Sequence, residues 1–358
     1  MNRRSTVIIA GGGTGGHVFP GVAVAEALEA GGVEVVFCGT ERGLEARVIP
    51  ARGWRLERLD VSPMQGGGLR RVATGAVSAA RATAMAIGTV RRIRPRAVLG
   101  VGGYAAGPLC AAAAALGVPL AVLEPNSVVG LANRILAPFA RRAYIAWDEA
   151  ARAFRPRALR RFGVPLRRGF VPRAYDPGRV PRVLVMGGSQ GAQAINDALP
   201  AAVGRLTSNG LELEVVHQTG RGQLEDVRAA YAQANVPGAT VVPFIDDVAG
   251  AIAGADLVVA RAGAVTVAEI TAIGRPAVLV PFPHAADDHQ AKNAQALERL
   301  GAAVSVSQAQ AGSALGDALE RLLSDEAVRR AMAHASRAQG RPDAARNVAS
   351  DLLAMAGA

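Results

Sequence analysis

Residues 7–28 read VIIAGGGTGGHVFPGVAVAEAL, and residues 183–199 read VLVMGGSQGAQAINDAL. Each passes from a short apolar run through a glycine-rich turn into a helix-like run. A short β-branched run closed by glycine predicts a buried strand. The glycines after it let backbone N–H groups approach a phosphate at the start of a helix. The same alternation continues through VEVVFCG (33–39), AVLGVGG (97–103), PLAVLEP (119–125), LEVVHQTG (213–220), ATVVPFI (239–245), DLVVARAG (256–263) and PAVLVPF (276–282). Continuous apolar strands between helices predict parallel sheets covered on both faces. The expected fold class is therefore α/β, with two doubly wound, Rossmann-like domains facing a cleft, and both glycine turns at the carboxyl ends of their strands.

A chain of 358 residues suits two such domains. Between the two copies of the pattern lies RRFGVPLRRGFVPRAYDPGRVPR (160–182), rich in Pro, Gly and Arg as a linker is. The expected division is 1–163, 164–341, and a terminal helix over 342–358 that folds back onto the first domain. After Leu300 the chain is expected to be helical. The charge-free stretch 97–123 is interrupted by Gly100, Gly102, Gly103, Gly107, Pro108, Gly117 and Pro119, so it reads as strand, loop, helix and strand and not as a membrane span.

Only 19% of the residues are charged and half are apolar, which excludes a disordered chain. The net charge of +11 is carried almost wholly by arginine, with Lys292 the sole lysine. Arginines cluster over 68–96 and 152–182, a pattern that suits phosphates or an anionic surface. Nucleic acid ranks last as a partner, because the basic runs carry no interleaved aromatics for base stacking. Cys38 and Cys110 sit in apolar runs and read as small buried hydrophobes. No secretory signal is visible, and no metal site is expected, since neither D-x-D nor a His/Cys ligand spacing occurs.

Gly11, Gly13 and Gly16 satisfy G-x-G-x-x-G, which by itself also fits a dinucleotide enzyme with Glu41 on the ribose. The second turn, GGSQGA, offers Ser189 among backbone amides, and two cradles suit two phosphorylated ligands better than one cofactor. ARAGAVTVAE (260–269) leads from a strand into a helix carrying Glu269, placed to accept both hydroxyls of a ribose or simply a solvated helix carboxylate. VPFPHAADDHQAKNA (280–294) crowds Asp287, Asp288, His289, Gln290 and Asn293 at a helix start. That cluster reads as a sugar-binding edge or as capping. A leaving diphosphate would fall to Arg167, Ser189 and helix N-termini.

Taken together, GGGTGGH, GGYAAGP, GLANR, GGSQGA, HQTG, RAGAVTVAE and HQAKNA resemble the MurG family of glycosyltransferases in order and spacing from Gly11 to Ala294. The resemblance implies a GT-B fold and an inverting transfer of N-acetylglucosamine from UDP-GlcNAc to the lipid I acceptor, giving lipid II for peptidoglycan. It implies no bound cofactor, UDP-GlcNAc as donor substrate, and a peripheral place on the anionic cytoplasmic face of the cell membrane. Other cell-wall synthesis proteins are the further partners it suggests. By the same resemblance Glu269 meets ribose, Ile245 meets uracil, Gln290 holds the sugar, and Arg167 and Ser189 take the diphosphate. Ala264, Val265, Thr266, Val267 and Ala268 line the donor beside Glu269. Thr14, Gly15, Gly16 and Asn126 complete the donor site, while Gly103, Tyr104 and Asn133 face the acceptor. One departure stands out. The family's His-Glu-Gln-Asn is Leu123-Glu124-Pro125-Asn126 here, so a ligand contact is expected to be lost or re-routed.

His17 is the first choice as general base: an imidazole has an ordinary pKa of about 6.5 and is neutral at working pH. Binding the acceptor diphosphate or ordering the loop are its alternative roles, and Glu124 is the second candidate base. LRRVATGAVSAARATAMAIGTVRRIR (69–94) reads either as a membrane-resting helix or as a core helix with basic ends. The rival activities are a UDP-GlcNAc epimerase on the same fold and a nucleotide-binding dehydrogenase.

Overall fold

The computed structural model describes residues 5–59, 69–104, 106–188, 191–285 and 288–357, excluding the side chains of 69–80. Ser189 and Asp287 lie outside the described residues. The chain forms two compact units, one of Met1–Arg168 with Asp343–Ala358 and the other of Gly169–Pro342.

In the first unit, strands β1 (Thr6–Gly11), β2 (Glu34–Gly39), β3 (Arg55–Arg58), β4 (Ala97–Gly102), β5 (Leu120–Glu124), β6 (Arg142–Ile145) and β7 (Leu159–Arg160) alternate with helices α1 (Gly15–Ala30), α2 (Glu45–Ala51), α3 (Leu69–Ile93), α4 (Ala106–Ala115) and α5 (Leu131–Leu136). The strands form one parallel sheet in the order β3-β2-β1-β4-β5-β6-β7. Period-two alternation sorts their side chains onto the two faces. Val7, Ile9, Phe37, Leu99, Leu123 and Tyr144 pack on one side with α1 and with the chain's last helix, residues 344–357. Ile8, Ala10, Val36, Cys38, Val98 and Val122 meet α3 and α4 on the other. Both cysteines are buried free thiols, and burial pushes Cys110 up to about 12 and Cys38 higher still, so neither is a thiolate at neutral pH.

The second unit holds β8 (Arg182–Met186), β9 (Glu214–Gln218), β10 (Thr240–Val242), β11 (Leu257–Ala260), β12 (Ala277–Leu279) and β13 (Ala303–Ser305), in the parallel order β10-β9-β8-β11-β12-β13. Its helices are α6 (Gln193–Ser208), α7 (Leu224–Gln233), α8 (Val248–Ala253), α9 (Ala264–Ile273), α10 (His289–Arg299), α11 (Ala311–Ser324) and α12 (Glu326–Gln339). Strand β13 corrects the expectation of pure helix after Leu300. Its three residues pair with β12 through Ala277↔Ala303 and its neighbours, and a run that short carries no periodic signal.

Helix α13 (Ala344–Gly357) then returns to the first unit, where it packs on α1 and inserts Val348, Leu352 and Met355 into the core. Asp351 fastens it by accepting from Arg142 Nε at 2.9 Å, Tyr144 Oη at 3.0 Å and Arg160 Nε at 3.3 Å. Charge-assisted bonds of this kind, partly screened from water, contribute more than a surface pair would.

Candidate active site

In each sheet the strand order reverses beside the first strand of the unit, between β1 and β4 and between β8 and β11. Connections leave in opposite directions there, opening a crevice beyond the carboxyl ends of those strands. The predicted glycine turns follow β1 and β8, so each opens on the crevice of its own sheet.

In the first unit the exits of β1 and β4 meet backbone to backbone. A Cβ on Gly102 (φ +96°) would lie 2.7 Å from His17 Nδ1, so glycine is needed there for space as well as conformation. His17 sits in the first turn of α1, and its Nδ1 lies 3.0 Å from the Val101 carbonyl. A carbonyl only accepts, so Nδ1 carries the proton and Nε2 is the acceptor nitrogen of a neutral ring. That is the tautomer a base requires. Thr14 is the N-cap of α1, and its carbonyl accepts from His17 N and Val18 N, both at 3.1 Å. The amides of Gly15 and Gly16 begin the helix, where N–H groups and the dipole favour an anion. Tyr104 is exposed beside Gly13, and the Arg167 guanidinium lies 4.7 Å from the Phe19 ring centroid on α1. Arg167 therefore belongs to the first turn's surroundings, at the end of the first unit.

Glu124 is buried at 2% exposure and accepts four hydrogen bonds. Its Oε1 takes Asn126 N at 3.1 Å and Asn126 Nδ2 at 3.3 Å, while Oε2 takes Gly130 N at 2.9 Å and Asn133 Nδ2 at 3.0 Å. A carboxylate has about four lone-pair directions, and these bonds occupy them and hold the 124–133 loop together. Asn133 is buried and donates its amide protons to Glu124 and to the Leu123 carbonyl at 2.9 Å. Leu123 is fully buried in the core cluster that holds Val7, Ile9 and Tyr144, so the residue that departs from the family pattern packs in the core. Pro125 keeps a structural role through its carbonyl, which accepts from Trp147 Nε1 at 3.2 Å.

In the second unit a cavity of about 660 Å³ opens beside the second glycine turn, lined by Gly191, Asp197, Arg261, Phe282, Gln290 and Gln308 among others. Gln290 lies at its edge with Oε1 accepting from Phe282 N at 3.0 Å, which leaves its amide protons to face a ligand. Arg261, which no motif singled out, donates to Val280 O at 3.1 Å and Pro281 O at 3.2 Å and lies 5.4 Å from the Phe282 ring. Burial lowers its pKa somewhat, and a guanidinium stays charged regardless. Its place at the end of β11 was the available signal. Asn293 is fully buried and donates to Ala262 O at 3.1 Å, which ties α10 to the end of β11. Asp288 begins α10 without a side-chain capping bond.

Helix α9 starts at Ala264 behind Gly263, so the amides of Ala264, Val265 and Thr266 precede the first intrahelical bond, Val267 N to Gly263 O at 2.9 Å. Glu269 lies one turn inside and is 7% exposed, buried alongside Val267, while Ala268 lies between the two. Ile245 is half-buried beside Phe244, which is 51% exposed. Among the described residues, no group of three His, Cys, Asp or Glu side chains could hold a metal ion.

The HQTG stretch supports the second turn from behind. Gln218 Nε2 donates to Gly188 O at 2.9 Å, and Gly187 N to Gln218 O at 3.0 Å. His217 is fully buried, with Nε2 3.0 Å from Asn196 Oδ1 and Nδ1 3.0 Å from Tyr231 Oη. An amide oxygen only accepts, so Nε2 carries the proton and the Tyr231 hydroxyl donates to Nδ1. Asn196 continues the chain to Thr219 O at 3.0 Å and to Gln223 at the cavity wall. Burial lowers the His217 pKa to about 4. The neutral ring therefore contributes stability that is fully present above pH 6.5 and is lost as pH falls towards 4, by about 3 kcal/mol at the lower end. The expected NMR result is a His217 ring still neutral at about pH 5.5, where a free imidazole is mostly protonated. A midpoint near the free value would contradict this network.

Residues 7–145 match the glycosyltransferase family 28 N-terminal domain, and residues 182–348 match the family's C-terminal domain. A protein of Sorangium cellulosum is 53% identical over 98% of this chain and 88% of its own length. One of Acidithiobacillus ferrooxidans is 46% identical over 98% of both. Each is named UDP-N-acetylglucosamine–N-acetylmuramyl-(pentapeptide) pyrophosphoryl-undecaprenol N-acetylglucosamine transferase. The crystal structure of Acinetobacter baumannii MurG superposes with a TM-score of 0.82 at 31% identity, covering 98% of this chain and 99% of that one. A UDP-N-acetylglucosamine 2-epimerase structure from Listeria monocytogenes has a TM-score of 0.71 at 14% identity over 98% of this chain and 96% of that one, a likeness of fold alone.

Proposed function

Because the chain belongs to glycosyltransferase family 28, we propose that it transfers N-acetylglucosamine from UDP-GlcNAc to the MurNAc 4-hydroxyl of lipid I, undecaprenyl-diphospho-MurNAc-pentapeptide, to give lipid II. The observation that carries this reading is full-length similarity to two transferases of that name, joined to a donor-shaped arrangement on the second unit: unspent α9 amides, Glu269 one turn further, and a carboxamide-lined cavity.

The acceptor hydroxyl attacks the anomeric carbon as the bond to the β-phosphate oxygen breaks, which inverts the centre. The hydroxyl proton passes to His17 Nε2, and the bonding pair leaves with UDP. The charge gathering on the diphosphate is met by the amides of Ala264, Val265 and Thr266, by Ser189, and by the arginines Arg167 and Arg261. Val267 and Ala268 complete the α9 surface under the nucleotide. Glu269 accepts the ribose hydroxyls, Ile245 lies against uracil, and Gln290 holds the sugar. Thr14, Gly15, Gly16 and Asn126 serve the donor from the first unit, and Gly103 and Tyr104 serve the acceptor. Calorimetric titration tests the donor half: UDP and UDP-GlcNAc bind and NADH gives no heat. NADH binding as tight as UDP would overturn it in favour of a dehydrogenase. Glu41, the residue such an enzyme would need on the ribose, lies exposed.

We further propose that the enzyme works from a membrane surface through α5 and the turn that follows it. Leu131, Ile135 and Phe139 are 63%, 63% and 62% exposed and recur at four-residue spacing, with Arg134 and Arg141 beside them. That pairing of apolar and cationic groups suits an anionic leaflet. No helix among the described residues is long and apolar enough to cross a membrane. Within 69–94, the described side chains Ala82, Ala86 and Val90 are buried in the core on α4, and those of 69–80 lie outside the description. Replacing Leu131, Ile135 and Phe139 by serine together is expected to lower flotation with phosphatidylglycerol vesicles about tenfold while leaving transfer to a soluble acceptor intact. Unchanged flotation would remove α5 from that role.

A further inference from the structure

We infer that Glu45 is a positioning residue for the first glycine turn, and that Gly12, Gly39 and Gly43 are glycines because its carboxylate occupies the space beside them. Glu45 begins α2 and is 1% exposed. Its Oε2 accepts Gly13 N at 2.8 Å, and its Oε1 accepts Thr40 N at 2.9 Å and Thr40 Oγ1 at 2.8 Å. The neighbouring Leu44 N donates to Gly13 O at 3.4 Å, so both polar groups of Gly13 are held by the β2–α2 connection. A Cβ on Gly12 or Gly43 would overlap the Glu45 carboxylate, and one on Gly39 would lie 2.5 Å from its Cγ. Gly12 does not have a left-handed backbone, and the three atoms nearest its Cβ would all belong to this carboxylate, so Glu45 is the first obstacle to a side chain there.

GGGTGG (11–16) and GTERGLE (39–45), distant in sequence, thus form one device. The Gly12 amide donates to Gly102 O at 3.4 Å and the Gly13 amide to Glu45, so both are spent inside the unit. An anion at this turn is left to the amides that follow, at the start of α1. By fixing Gly13, Glu45 fixes where α1 begins and hence where His17, four residues later, meets Val101.

This inference rests on the proposed transfer for its kinetic readout, and a second readout is independent of activity. In Glu45→Gln the amide oxygen keeps both Thr40 bonds and the NH₂ group faces Gly13 N–H, donor against donor. The expected result is a kcat about tenfold lower or less still, with KM for UDP-GlcNAc within about twofold, since small misplacement of a reacting group is costly while the donor unit is untouched. Gly13 amide exchange is expected to accelerate about a hundredfold. Gly12→Ala is expected to lower kcat about tenfold alone and no more than about twofold on a Glu45→Ala background, because its methyl then enters vacated space. A Gly13 amide that exchanges at the wild-type rate in Glu45→Gln, or losses that simply add in the double variant, would overturn the inference. If Glu45→Gln does not fold, the same cycle read in thermal midpoints of Gly12→Ala and the double variant decides it. Absence of transfer by the wild type would overturn the proposed reaction instead, leaving the exchange result to stand by itself.

Discussion

His17→Ala is expected to lower kcat by about 10² to 10⁴ while leaving KM for UDP-GlcNAc within about twofold. The ring has its proton fixed on Nδ1 by the Val101 carbonyl, which leaves a lone pair on Nε2, the acceptor nitrogen assigned as the base in the proposed reaction. Only the transition state uses that lone pair, and a group that acts only there affects turnover and not ground-state binding. His17→Asn is expected to be as slow as alanine, since it restores a polar contact without a base. Glu124→Gln provides the contrast. Its NH₂ would confront donors already aimed at the carboxylate, so the thermal midpoint falls together with activity. Steady-state kinetics and thermal unfolding on the same preparations separate the two. A His17→Ala enzyme that keeps its kcat would remove His17 from catalysis.

Glu269→Ala is expected to lower kcat/KM for UDP-GlcNAc about a hundredfold, chiefly through KM. Glu269 is 7% exposed on α9, one turn beyond the N-terminal amides that are proposed to meet the diphosphate. Two charge-assisted bonds from ribose hydroxyls in such a site are worth about 3 kcal/mol together, which is the predicted factor. A donor with 2′-deoxyribose provides the check. The wild type should lose most of the same factor on it, and Glu269→Ala should scarcely distinguish the two donors. Equal discrimination by both enzymes would place Glu269 away from the ribose.

The two-sheet fold was legible because its central strands are continuous apolar runs that end in glycine. β1, β4, β8 and β11 could be read directly. The strands that were not foreseen, β3 (RLER), β6 (RAYI), β7 (LR) and β13 (AVS), are short or interrupted by charge. Their strand character comes from pairing with neighbours distant in sequence, as β3 does through Val36↔Arg55. The site divides along the same line. Glycine turns, His17 and Glu269 are local signals, each a residue type at a fixed offset from a strand. Glu45 lies 32 residues from Gly13, and Asn196 lies 21 from His217, so no local pattern marks either contact. Glu124 and Asn133 sit in motifs that mark them one by one, while the bond from Asn133 Nδ2 to Glu124 across the 124–133 loop is marked by no local pattern. The apolar patch on α5 and the turn after it was missed because three residues at four-residue spacing look the same whether they face a core or solvent.

Radiolabel transfer tests the proposed reaction most directly. The protein is incubated with UDP-GlcNAc labelled in the sugar and with lipid I in anionic vesicles, and the organic extract is counted and its new glycosidic linkage assigned by NMR. The predicted result is label entering the lipid in step with UDP release, through a β-linkage to the MurNAc 4-hydroxyl. Label that stays in the aqueous phase, as free sugar or as an epimerised UDP-sugar, would contradict the account.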